Sequence, residues 1–276
     1  VVLGASAAGA RAYTATSSQG LLLMSEVVYC IAGMRLPIVL TCANRAISAP
    51  LSIWNDQQDS MAVRDAGWIQ LHAEDNQEAS DLHIQAFKIA EQTFLPVMVC
   101  MDGFILTHAY EPVDIPEQKE VDDFLPAFKP RHIVDPRWPR GIGLFADPRF
   151  YMETRYILHR ALEKSEDTIK EVSSEFAKAF GRESGGFIKT YKLEEADVVV
   201  ISMGSVVGTI KELIDQLEEK GKKVGLLQIC SYRPFPRKEI YNALKDKMNI
   251  VVLEQCISLG RGGNLSSDIR MSFPRA

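Results

Sequence analysis

Three short runs of nearly unbroken apolar residues, DVVVISMG at 197–204, KKVGLLQI at 222–229 and NIVVLEQ at 249–255, constrain the fold more than any other feature of the chain. Uniformly apolar strands are those covered on both faces, and strands of that kind run parallel, each joined to the next by a crossover helix. Helical periodicity fills both gaps, at about 205–220 and 237–247. The same grammar occupies the first 111 residues. IVLT at 38–41 and PVMVC at 96–100 are strand-like, each led by a proline that ends the preceding helix. Between them, NQEASDLHIQAFKIAEQ at 76–92 predicts an amphipathic helix with Asn76 as N-cap and Leu82, Ala86, Ile89 and Ala90 on one face.

Residues 112–150 change character, because seven prolines there forbid long regular elements and predict an extended connection over a surface. A long, charged helix with weak apolar spacing is expected at 151–182. The reading is therefore two α/β domains joined by a connector and a helix, which suits a length of 276 residues. The opening VVLGASAAGA, read as the middle of a helix or a strand-to-helix junction, and the end at SFPRA suggest a chain trimmed at one or both ends.

A net charge of −5 and a pI near 5.6 argue against sequence-independent nucleic-acid binding, which needs a basic face. No apolar run approaches the ~18 residues of a membrane span. Cys30, Cys42, Cys100, Cys230 and Cys256 are odd in number, scattered and never in a CxxC pair, so they predict reduced thiols in a cytoplasmic protein and no metal site.

Ligands of open parallel sheets bind beyond the carboxyl ends of the strands. Three segments qualify. Thr14–Gly20 offers hydroxyls and backbone N–H groups at the start of an apolar helix, either as ligand donors or as a plain N-cap. After IVLT comes Cys42–Asp59, in which Arg45 stands among small neutral residues; its guanidinium suits a substrate carboxylate or an internal ion pair with Asp56 or Asp59. After PVMVC, His108 is an acid–base candidate or a loop cap, while His72, His83, His132 and His159 read as exposed and silent. Gly204–Gly208 follows a strand but lacks dinucleotide spacing, and Gly260–Asn264 reads as a flexible loop.

The segments AGARAYTATSSQGLLLMSE, GMRLPIVL, ANRAISAPLSIWNDQQDS, RDAGWIQLHAEDNQEA and LPVMVCMDGFILTH, in this order and spacing, resemble the α subunits of pyruvate:ferredoxin oxidoreductases (pyruvate synthases), of the thiamine-diphosphate-dependent 2-oxoacid:ferredoxin oxidoreductase family. The resemblance implies a thiamine diphosphate pyrimidine-binding domain over 1–145, a connector and helix over 146–194, and a transketolase-C-terminal-like domain II over 195–276, the last carrying SYRPFP. It implies oxidative, reversible conversion of pyruvate and coenzyme A to acetyl-CoA and CO2 with electrons passed to ferredoxin. A 2-oxoisovalerate enzyme or a non-catalytic scaffold subunit are the alternatives.

Arg45 matches the arginine that holds the 2-oxoacid carboxylate, and Leu51 and Ile53 match apolar residues near the cofactor and the substrate methyl. Thr16, Ser17, Ser18, Gln19 and Gly20 match the pyrimidine side, with Asn55, Asp56 and Gln58 in support. The family's cofactor-activating glutamate is expected upstream of Val1, so this chain is expected to supply no catalytic residue itself, and Glu26 is no substitute for it. Thiamine diphosphate would be shared with a β subunit, while Mg²⁺ and [4Fe–4S] clusters would sit in partner β, γ and δ subunits.

Overall fold

A computed structural model describes residues 1–273; Pro274–Ala276, the end of the SFPRA segment, lie outside the described residues. In chain order the elements are α1 (Val2–Ala7), β1 (Ala12–Thr16), α2 (Gln19–Leu23), α3 (Ser25–Gly33), β2 (Ile38–Asn44), α4 (Gln58–Ala62), β3 (Ile69–His72), α5 (Asn76–Thr93) and β4 (Val97–Asp102). They continue with α6 (Gln118–Phe124), α7 (Pro148–Phe180), β5 (Ile188–Tyr191), β6 (Val198–Ser202), α8 (Val206–Glu218), β7 (Val224–Ile229), β8 (Ser231–Arg233), α9 (Arg237–Leu244), β9 (Asn249–Val252) and α10 (Asn264–Arg270). Two sheets result, β1-β2-β4-β3-β8 and β5-β7-β6-β9. Each is parallel except for one antiparallel edge strand, β8 in the first and β5 in the second.

Helix α5 is capped one residue earlier than its sequence implies, because Asp75, in extended conformation, accepts from the Glu78 N–H and Asn76 is already helical. Its face of Leu82, Ala86, Ile89 and Ala90 is buried as the periodicity predicts. Helix α7 starts at Pro148, where the Asp147 side chain caps it and the proline lacks only an N–H that would have no helical partner. Its apolar spacing is not weak: Leu158, Ile169, Val172 and Phe176 are buried in the first core. The proline-rich stretch is extended but carries α6, whose Phe124 meets Phe176 and Phe180 edge-on.

Of the three apolar runs, β6 and β7 lie inside their sheet, whereas β9 is its edge and exposes Val251, so two faces are not covered there. Two main cores accompany the sheets, with a third small cluster of Val207, Ile210, Ile214 and Leu226 between α8 and β7. The larger holds β1–β4, α5 and α7; the smaller gathers Val199, Ile201, Leu227, Ile229, Tyr232, Ile240 and Leu265. Met61 of α4, from the first half of the chain, lies in the smaller core. No helix among the described residues is long and apolar enough to cross a membrane.

Candidate active site

The carboxyl ends of β1, β2 and β4 open onto one face, and the chain from Arg45 to Gln57 loops over it between β2 and α4. Thr14, Ala15 and Thr16 belong to β1, so the hydroxyl run is a strand end and not wholly a loop. Strand register sets Thr16, Cys42, Cys100 and His72 in a row across β1, β2, β4 and β3. Register partners in a parallel sheet project from the same face. Above this row sits Asp59, fully buried.

Asp59 organises the site. Its Oδ2 accepts from the backbone N–H of Ser18 (2.9 Å) and of Arg45 (3.1 Å), and its Oδ1 accepts from Asn44 Nδ2 (2.7 Å) and the Ser60 N–H (2.8 Å). The Cys42 thiol also points at Oδ2, 3.6 Å away. Burial pushes the Asp59 carboxyl above the ordinary carboxylate value, although all four hydrogen bonds pull the other way. In the sequence Asp59 reads only as a possible ion-pair partner of Arg45, and its place at the start of a short helix after the loop is the one local signal of this role.

The ion-pair reading of Arg45 therefore fails, since Asp59 meets the Arg45 backbone and not its guanidinium, and Asp56 accepts from the Gln58 N–H (2.6 Å). Among the described residues no carboxylate lies within salt-bridge distance of Arg45. Its Nη2 is 3.4 Å from Gln19 Oε1, and its Nε is buried with no partner in the chain. A buried guanidinium N–H left without an acceptor costs free energy that an incoming acceptor recovers, an anion most strongly.

The other predicted residues lie at the β1–α2 junction and along the chain from β2 to α4, and among them only Gln19 hydrogen-bonds the Arg45 side chain. Ser18 is buried, with its Oγ 2.6 Å from both Gln19 Oε1 and the Ala46 carbonyl, which share its one hydroxyl proton. Gly20 is packed so closely against Thr16 that a Cβ would come within 2.5 Å of the Thr16 hydroxyl. Gln19 Nε2 and Asn55 Oδ1 are buried without partners in the chain, one a donor and the other an acceptor. Leu51 is 80% exposed and Ile53 50%, so the middle of the loop offers apolar surface outward. Trp54 packs edge-on against Phe104 at 4.0 Å, and Phe104 in turn against His108, which stays exposed at the rim. Glu26 is exposed on α3.

Two histidines correct the expectation of exposure, because the strand and helix that carry them are covered by neighbouring elements. His72 is buried in β3, where burial would lower its pKa but Cys100, Asp102 and Asp59 outweigh that and hold it above the ordinary histidine value. His83 lies against Thr41 Oγ1 (2.5 Å) and the Ala79 carbonyl (2.6 Å), and burial holds its pKa down. The five cysteines are all free, and among the described residues no cluster of His, Cys, Asp or Glu could hold a metal ion. A separate cavity of about 870 Å³, lined by Met34, Arg35, Phe94, Arg131 and Trp138, lies by the segment leading into β2, at the opposite end of that strand from Arg45.

Strand ends that carry an arginine without a carboxylate partner and open amide groups, followed by a second, mainly parallel sheet, define a two-unit α/β protein. The chain belongs to the pyruvate flavodoxin/ferredoxin oxidoreductase family: the thiamine-diphosphate-binding family model matches residues 1–174, and the pyruvate:ferredoxin oxidoreductase core domain II model matches residues 196–276. It is 51% identical over 97% of its length to pyruvate synthase subunit PorA of Methanothermobacter thermautotrophicus, covering 70% of that subunit. It is 43% identical to ketoisovalerate oxidoreductase subunit VorA of Pyrococcus horikoshii, over 97% of its length and 68% of that subunit. The fold matches the 2-oxoglutarate:ferredoxin oxidoreductase of Magnetococcus marinus with a TM-score of 0.70 at 22% identity; the match covers 98% of this chain and half the length of that one.

Proposed function

We propose that the chain is the α subunit of a pyruvate:ferredoxin oxidoreductase, active in the cytoplasm, in which Arg45 binds the carboxylate of pyruvate. The unpartnered, buried Arg45 Nε carries the assignment: the fold holds a guanidinium N–H without an acceptor in the chain, and a 2-oxoacid carboxylate would supply one in fork geometry. Pyruvate is preferred over 2-oxoisovalerate because identity to the pyruvate synthase subunit, 51%, exceeds the 43% to the ketoisovalerate subunit.

The residues present fit thiamine diphosphate. Neutral amides and hydroxyls, with an open donor on Gln19 and an open acceptor on Asn55, match an aminopyrimidine edge better than they would match a metal or a phosphate. Thr16, Ser17, Ser18, Gln19 and Gly20 would line one side of that ring, with Asn55, Asp56 and Gln58 facing them across the loop. The chemistry supplied when the cofactor is bound is stabilisation of a carbanion at the keto carbon, which is what loss of CO2 requires.

This chain's own residues bind and orient. Arg45 fixes the carboxylate before it leaves as CO2, and Leu51 and Ile53 exclude water and take the methyl group. The outward exposure of Leu51 suits a surface that a β subunit covers. We assign Mg²⁺, the [4Fe–4S] clusters and the contact with ferredoxin to the β, γ and δ subunits, with coenzyme A as the second substrate. The test is Arg45→Ala in the assembled enzyme. Loss of a bidentate charged contact is expected to lower kcat/KM for pyruvate by about 2 to 5 kcal/mol, roughly 30-fold or more. Unchanged KM and kcat would remove the carboxylate role.

A further inference from the structure

The 45–57 loop is held at its entry by one half of the molecule and at its exit by both. At its entry the grip comes from the first unit, through Asp59 on the Arg45 N–H and Ser18 Oγ on the Ala46 carbonyl. At its exit the second unit takes part as well as the first. The Gln57 N–H donates to the Gln255 carbonyl (2.9 Å), and Asn55 Nδ2 donates to Gln255 Oε1 (2.8 Å). Beneath them Gln57 Nε2 donates to Asp102 Oδ1 (3.3 Å), while Asp102 Oδ2 accepts both the N–H (2.7 Å) and the hydroxyl (2.6 Å) of Ser205. Ser205 and Gln255 belong to segments that the substrate site leaves unused, Gly204–Gly208 and the 254–264 turn.

Gln255 is itself rigidly mounted. The Leu253 N–H donates to the Ile201 carbonyl (2.9 Å), and the Glu254 carboxylate takes the N–H groups of Leu265 and Ser266 at the start of α10 (2.8 and 3.2 Å). Within the thirteen-residue loop the fixed points are Trp54 on Phe104 and the Ala46 N–H on the Trp54 carbonyl (3.1 Å); the remaining side chains are polar, small or exposed, so the position of Asn55 and Gln57 follows the exit anchor. Arg45 and Asn55 can face one ligand only while both anchors keep their spacing.

We propose that the second α/β unit sets the geometry of the substrate loop, with Gln255 as a positioning residue that acts on Arg45 through Asn55 and Gln57, and the Ser205–Asp102 pair steadying Gln57 from below. The proposal rests on the reading of Arg45 as the carboxylate binder.

The experiment compares three variants of the assembled enzyme with wild type, using pyruvate as the probe. Gln255→Leu keeps the size of the side chain and its backbone carbonyl but removes the acceptor for Asn55; Gln255→Glu keeps an acceptor there; Arg45→Ala calibrates the site. Gln255→Leu is expected to raise KM for pyruvate about 5- to 20-fold with kcat changed less than about 3-fold, since a loosened carboxylate grip weakens ground and transition states alike. Hydrogen–deuterium exchange should speed up in peptides covering 46–57 and not in those covering β2. Gln255→Glu should restore both readings to within about 2-fold of wild type.

If Arg45→Ala raises KM and Gln255→Leu moves neither KM nor loop exchange, the positioning role is wrong and the substrate site stands. Faster exchange throughout the first unit, with no rescue by Gln255→Glu, would reduce Gln255 to a structural residue and overturn the proposal. An Arg45→Ala enzyme with unchanged KM would bring down the site reading and the proposal with it.

Discussion

The substitution Asp59→Asn probes the organising carboxylate with the smallest possible change of shape. In the native site each oxygen of Asp59 receives two N–H donors, Asn44 Nδ2 and Ser60 N at Oδ1, Ser18 N and Arg45 N at Oδ2. An amide has a single acceptor oxygen, so whichever way the new side chain turns, its NH2 group faces two buried donors that lose their partner. Each orphaned donor costs about 1–3 kcal/mol, so the gross penalty is about 2–6 kcal/mol. Burial already disfavours the native carboxylate, and relief of that desolvation offsets part of the loss. A net destabilisation of about 2–4 kcal/mol follows, a drop in Tm of about 4–16 °C for a unit of this size. Differential scanning calorimetry of the assembled Asp59→Asn enzyme measures it, and KM for pyruvate rises in parallel if the NH2 group turns toward the Ser18 and Arg45 N–H groups, which then lose their acceptor. A Tm within about 1 °C of wild type would refute the reasoning, since four bonds of this geometry cannot then be contributing what their burial implies.

Gly204→Ala places a Cβ 2.7 Å from Asp102 Oδ2 and 2.8 Å from Gln57 Nε2, at a φ of +79° that favours glycine, and thermal unfolding should show a loss of about 2–3 kcal/mol. The seam between the units predicts an acid-side response. Burial raises the Glu74 carboxyl, but the hydrogen bond from Lys211 and the charge of Lys189 outweigh it and hold the group below the ordinary glutamate value of 4.5. A depressed folded-state value contributes stability that is present above pH 4.5 and lost as pH falls through the lower value. Tm should therefore decline with acidification below that point, and Lys211→Met should flatten the decline.

Legibility in the sequence followed the physics of each element. Strands β6 and β7 were readable because a buried strand must be apolar on both faces, and α5 because its core stripe has a helical period. Strand β3 was not, because Gln70 and His72 are polar residues buried among Ile69 and Leu71; their burial depends on β8 and Tyr232, which arrive from far along the chain. The alternation of β1 hid inside a hydroxyl-rich run for a similar reason. Arg45 was legible as a guanidinium out of place among neutral residues. That it is unpaired was not, since the competing ion pair with Asp59 is excluded only by the four bonds that commit that carboxylate to three backbone N–H groups and Asn44 Nδ2. The grip of Gln255 on Asn55 spans 200 positions and leaves no local trace.

Strand β8 has a consequence for how the molecule is made. It pairs antiparallel with β3 across a gap of about 160 positions and closes the edge of the first sheet. During synthesis every other strand of that sheet, and the long helix over it, leaves the ribosome while β3 still presents an open row of N–H and C=O groups. Such an edge is a template for the wrong partner, and closing it late is slow because a long loop must be ordered first. The first sheet is finished only when Ser231–Arg233 emerges, between two strands of the second sheet, so completing one half of the molecule waits on translation of the other.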